Sequence, residues 1–223
     1  MAGVSITVQG SFESFHPAER AIIRLKVGFE GPDKAKAYTS TARAASEIGE
    51  QLGSLYAPDH GPVTWWSSEQ IRTWSQRPWN QDGKQLPLVH HAMVTFQAKF
   101  SDFARLGEWI SDVAARPGVA IEQIEWALTE RRRIEVTRQA REGAVGDAQA
   151  KAKAYADSLG LAKVRVIAIA DQGMLGDRAG AHALAGGGMA RAAYMSARGG
   201  PEISFVPEDI AVSARVDAMF EAE

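Results

Sequence analysis

Residues Glu125 to Asp171 read EWALTERRRIEVTRQAREGAVGDAQAKAKAYADSLGLAKVRVIAIAD and contain three elements in succession. The opening completes a strand in which Ile124, Trp126 and Leu128 alternate with Glu125. From Arg131 to Gly160, Val145, Ala148, Ala152, Tyr155 and Leu159 recur at spacings of three and four. That spacing predicts one alanine-rich helix extending about 43 Å at about 1.5 Å per residue. Gly160 suits the left-handed position that ends such a helix. The alternating KVRVIAIAD then leaves it as a strand.

Toward the N-terminus, Ser101 is a candidate N-cap for a short helix with Phe103, Leu106, Ile110 and Val113 on its apolar face. Pro117-Gly118 ends that helix. The strand LVHHAMVTFQAKF precedes it, entered from the polar turn NQDGKQLP, whose Asp82-Gly83 is a hairpin signal. Earlier still, Thr41, Ala45, Ile48, Leu52 and Leu55 mark a helix opened by Gly31-Pro32-Asp33. The chain starts with two strands. Val4, Ile6, Val8 and Phe12 share one parity, interrupted by Gly10 as a bulge or a close-approach glycine. Ile23, Leu25, Val27 and Phe29 alternate with Arg24, Lys26 and Gly28.

Toward the C-terminus, Gln172 to Pro207 carries eight glycines with no sustained period. It is too long for an ordinary connection, so it is disordered or ordered by a partner. A last strand comes after it, in which Ile210, Val212, Ala214, Val216 and Ala218 alternate with polar residues. That strand has nothing of its own to pack on and must return to an earlier sheet. The expectation is one domain over residues 1–223 with a glycine- and methionine-rich insertion at about 172–207. The fold class is α+β: a mixed, largely antiparallel sheet with one long alanine-rich helix and two shorter ones.

The order of a strand, a Gly10-to-Pro17 interruption, a second strand and a helix resembles the SIMPL-domain family. The Lys151–Gly160 segment, K-A-x-x-x-A-x-x-L-G, is similar to the end of that family's long helix. The Pro207–Val216 segment, P-x-x-x-x-V-x-A-x-V, looks like its terminal strand. The resemblance covers essentially the whole chain and implies a mixed α+β fold. Exported bacterial members include one that assembles into large rings with a central cavity, and some members are linked to resistance to oxidative stress. No catalytic residue set is established for the family, so no residue role carries over.

Composition excludes several chemistries. The net charge of -2 lacks the basic excess of a general nucleic-acid binder. Cysteine is absent, which removes disulfides, thiolate metal sites and thiol nucleophiles. MAGVSITVQG has neither the basic nor the apolar region of an export signal, and no run is long enough to span a bilayer, so the expectation is a soluble cytoplasmic protein. There is no G-x-S-x-G, and LAGGGMAR lacks the lysine and hydroxyl of a phosphate loop. His90 and His91 diverge on a strand and do not chelate one ion. No pattern requires a cofactor or a metal, and the protein is read as a non-enzyme.

Four of the six tryptophans lie between Val63 and Trp79. Read as one strand, that segment puts Trp65 and Trp66 on opposite faces, and Trp66 and Trp74 on one face far apart. One tryptophan face then packs in the core and the other enters a subunit contact. Arg131, Arg132 and Arg133 form a solvated cationic face, with Glu130 and Glu135 near enough to offset the helix dipole. Small residues such as Ala144, Ala148 and Ala152 let a partner surface approach closely. The leading reading is a non-catalytic homo-oligomer whose interface draws on Trp65, Trp66, Arg72, Trp74, Trp79, Ala148, Ala152, Met189 and Met195. The alternative is a small-ligand or nucleic-acid binding module using Trp66 or Trp74 with Arg72.

Overall fold

The first two strands, β1 (Val4–His16) and β2 (Arg20–Gly31), do not pair with each other. Pro17 lies between them and has no N–H to continue a ladder. The computed structural model describes residues 3–79, 85–175 and 206–223. It continues with α1 (Lys34–Leu55), β3 (Val63–Ser68), β4 (Arg72–Gln76), β5 (Val89–Phe100) and α2 (Phe103–Ala114). After these come β6 (Val119–Ala127), α3 (Glu130–Ser158), β7 (Val164–Asp171) and β8 (Ile210–Ala222). The strand ladders among the described residues are all antiparallel, in keeping with the largely antiparallel expectation, but the strands form two sheets instead of one. The chain gathers into two compact units, one holding β1, α3, β7 and β8, the other everything from β2 to β6.

In the first unit the strand order is β1-β8-β7. The final strand does return to an earlier one: β1 and β8 pair without a break from Val4↔Ala222 to His16↔Ile210. Alternation puts Ile6, Val8, Val216, Ala218 and Phe220 on one face, where they are buried with α3. The buried stripe of α3 differs from the expected one. Ala140, Ala144, Ala148, Ala152 and Ala156 are fully buried, whereas Tyr155 and Leu159 are exposed. Beyond Val136, also fully buried, this ridge of every fourth residue presents only methyl groups and can lie closer to a sheet than one carrying larger side chains.

Gly10 marks the closest approach. It is not a bulge, because its register with Val216 is regular. A Cβ there would lie 2.0 Å from the Ala144 carbonyl oxygen and 2.8 Å from the Ala148 methyl. Thr129 caps the start of α3 through its hydroxyl to the Arg132 N–H. At the far end Gly160 adopts φ +73°, and the Gly160 and Leu161 N–H groups return to the carbonyls of Asp157 and Ala156. That is a Schellman termination.

In the second unit the order is β3-β5-β2-β6, with β4 continuing along β5 beyond β3. Ala21, Ile23, Leu25 and Val27 of the central strand are fully buried under α1 and α2, which contribute Ile48, Leu52, Leu106, Ile110 and Val113. The Thr41 hydroxyl, also fully buried, ties α1 to the sheet. It accepts the Phe29 N–H and lies within hydrogen-bond reach of the Ala37 and Ala92 carbonyls. Asp33 caps α1. At α2 the cap is Asp102, one residue beyond the expected Ser101, whose hydroxyl instead donates to the Gly61 carbonyl. The expected Asp82-Gly83 turn lies outside the described residues.

Two glycines of the first unit separate packing from propensity. Gly10→Ala forces backbone apart and is expected to cost about 3 kcal/mol. Gly146 sits exposed in α3 with nothing within 4 Å of an added Cβ, so Gly146→Ala is expected to stabilise by about 1 kcal/mol. Urea unfolding of the two variants tests this, and equal effects would contradict it.

Candidate functional site

The tryptophan segment is a broken edge strand. β3 pairs with β5 as far as Ser68↔Phe96, and β4 resumes at Arg72↔Met93. Three residues, 69–71, thus oppose two, 94 and 95, and the extra residue reverses the side-chain parity of β4 relative to β3. Trp66 lies opposite Ala98 and packs half-buried on the core. Trp74 lies opposite His91, on the face away from the helices. The expectation that Trp66 and Trp74 share a face is therefore corrected. Trp65, opposite Lys99, does share the outer face with Trp74, at about 26 Å for eight residues along β5. Trp65 and Trp74 are part-exposed, and Trp79 is almost fully exposed beyond the end of β4.

Around Trp74 the outer face gathers a polar cluster. Its indole stacks on the His91 ring at 4.9 Å between centroids and 4° between planes. His91 Nδ1 lies 2.9 Å from Glu30 Oε2, while its Nε2 is buried without a partner. Arg72 projects from the same face of β4, two residues before Trp74. His90 turns the other way and meets the Ser75 hydroxyl at 2.6 Å. The two histidines therefore have separate partners. Among the described residues no group of three metal-ligating side chains comes together, and no helix is long and apolar enough to cross a membrane.

The remaining predicted residues are dispersed. Ala148 and Ala152 face the sheet of their own unit and have no exposed surface. Arg132 and Arg133 are held by Glu135 and Glu130. Met189 and Met195, with most of the expected 172–207 insertion, lie outside the described residues.

Sequence reasoning missed the two edges of the first unit's sheet. On β1, the Ser11 N–H donates to Asp147 at 2.8 Å, and Lys151 donates to the Gln9 carbonyl at 2.9 Å. Asp147 and Lys151 are themselves paired at 2.7 Å, one turn apart on α3. They occupy backbone groups that another strand would otherwise use. Lys151 first, then the Ser11 N–H, holds the Asp147 carboxyl below its ordinary value.

The β7 edge is different. Among the described residues no strand pairs with its outer side. Val166, Ile167 and Ile169 are 53%, 49% and 50% exposed. A bulge between Val166 and Ala168 leaves Ile167 without a partner on β8. The i,i+4 spacing of Asp147 and Lys151 was visible in the sequence, but not the strand it would reach.

A family described as SIMPL, protein of unknown function (DUF541), matches residues 6–220. The chain belongs to that family. No curated protein matches it.

Proposed function

We propose that this member of the SIMPL family is a non-catalytic, self-associating scaffold that joins a second copy of itself through β7. The observation that carries the reading is the contrast between the two edges of one sheet. The β1 edge is occupied by Asp147 and Lys151, while the β7 edge has no strand on its outer side among the described residues and carries three half-exposed branched side chains. Unpaired backbone groups beside apolar side chains favour strand addition. Antiparallel pairing of β7 with its copy across a two-fold axis would extend each three-stranded sheet into one of six. A role in stress resistance, implied by the family resemblance, would be exerted through such an assembly, since the chain has no thiol to spend.

A second reading rests on Trp74. The His91 ring covers one face of its indole, and Arg72 stands on the same side of the strand. A flat ligand could stack there with a negative group toward Arg72. Nucleotide quenching of tryptophan fluorescence, abolished in Trp74→Ala, would favour this reading over the scaffold.

Light scattering coupled to size exclusion is expected to give twice the 24.1 kDa chain mass. Ile167→Lys is expected to weaken the dimer by about tenfold or more, because a charge must be desolvated at the new ladder. A wild-type monomer at every concentration, or a dimer indifferent to that change, would sink the proposal. Asp147→Ala frees the β1 edge and is expected to yield species heavier than the dimer.

The lowered Asp147 value also sets a pH dependence. A depressed carboxyl contributes its stability fully above the unfolded value, about 3.9, and loses it as pH falls through the folded value. Asp147→Asn is therefore expected to flatten the acid limb of stability below about pH 5, read from urea midpoints.

A further inference from the structure

Within the second unit a groove of about 410 Å³ runs between α1 and the turn that joins α2 to β6. Its floor is apolar, made by Phe29, Ala44, Pro117 and Val119. Its rim is polar. Ser40, Arg43 and Glu47 come from one face of α1, at spacings of three and four, and Arg116 comes from beyond α2. Phe29 is positioned through its backbone and its ring. Its backbone N–H is held by the buried Thr41 hydroxyl, and the ring lies where a Cβ at Gly118 would sit, 2.6 Å away.

The rim is unequally satisfied. Arg116 is committed, lying 3.3 Å from Glu47 and 2.9 Å from Asp112. Arg43 makes no ion pair or hydrogen bond among the described residues, although Glu47 lies one turn away on the same face of α1. Ser40 is in the same position. The other serines and threonines of α1, Thr39, Thr41, Ser46 and Ser54, each make a hydrogen bond, whereas the half-buried Ser40 hydroxyl makes none. This cation and this hydroxyl, one turn apart beside the apolar lining, are two donors that make no hydrogen bond among the described residues.

We propose that this groove binds a small organic carboxylate with an aryl or short alkyl body. The carboxylate accepts from the Arg43 guanidinium and the Ser40 hydroxyl, a charge-assisted arrangement stronger than a neutral pair. The body lies on Phe29, Pro117 and Val119, which replaces water over apolar surface. The arrangement selects against both halves of the ligand taken alone. An inorganic anion finds no use for the floor, and an uncharged aromatic leaves the two donors unpaired. The site is independent of β7 and of the tryptophan edge.

The test is an amide NMR titration of the full chain with benzoate, benzyl alcohol and sulfate. Benzoate is expected to give saturable shifts at Ser40, Arg43, Ala44 and Val119, with a dissociation constant of about 1 mM or tighter. Benzyl alcohol and sulfate are each expected to bind at least about tenfold more weakly. Arg43 is exposed on its helix, so Arg43→Ala keeps the fold and is expected to weaken benzoate by about tenfold, with Ser40→Ala a smaller loss. The absence of saturable shifts up to about 20 mM benzoate would overturn the proposal. So would equal binding by benzyl alcohol, or benzoate binding unchanged in Arg43→Ala.

Discussion

The contact on which the first unit depends is the one between Gly10 and the backbone of α3 around Ala144. No side chain fits between them: an added methyl would lie 2.0 Å from a carbonyl oxygen. The ridge of alanines at every fourth position is a consequence, since a larger residue at Ala144 or Ala148 would hold the helix away. Each alanine buries little area, so the stabilisation comes from many close contacts in place of a few large side chains. The unit also joins the two ends of the chain, because β1 and β8 are separated by most of the sequence. Closing so long a loop is entropically costly, and thirteen continuous residue pairs with a close-fitting helix on top offset that cost.

The same approach decides which edge of the sheet is closed. With α3 held this near to β1, Asp147 and Lys151 reach the backbone of Gln9 and Ser11 directly. β7 lies on the other side of β8, and among the described residues nothing comparable reaches its exposed Val166, Ile167 and Ile169. One helix position therefore closes the β1 edge. The exposed ion pairs along α3, such as Arg138 with Glu142, contribute little by comparison, because solvent screens them.

In the second unit the constraint is the burial of β2. Its inward residues are covered by both helices, so the opposite face carries the charges, with Lys26 against Glu122 and Glu30 against His91. Phe29 links this core to the groove beside α1. Its N–H is held by Thr41 and its ring lies against Gly118, while on the groove's rim Arg43 and Ser40 make no hydrogen bond among the described residues.

Local pattern was enough to place most elements. Period-two alternation located β1, β2 and β8, and the three-four spacing of Thr41, Ala45, Ile48 and Leu52 located α1. Gly160 marked the end of α3 because only a residue tolerant of positive φ closes a Schellman turn there. The tryptophan edge was misread because a single extra residue between Ser68 and Arg72 inverts side-chain direction, and nothing in the local composition reveals it. The buried face of α3 was misread because Val145, Tyr155 and Leu159 are the more hydrophobic residues. The helix instead buries its smallest ones, which only the nearness of Gly10 requires. The sequence by itself determined most of the helix and strand segments and that the last strand must find an earlier partner. Tertiary structure alone decided which strands share a sheet, which edge is guarded and which polar groups are left unpaired, because those depend on contacts between residues far apart in the chain.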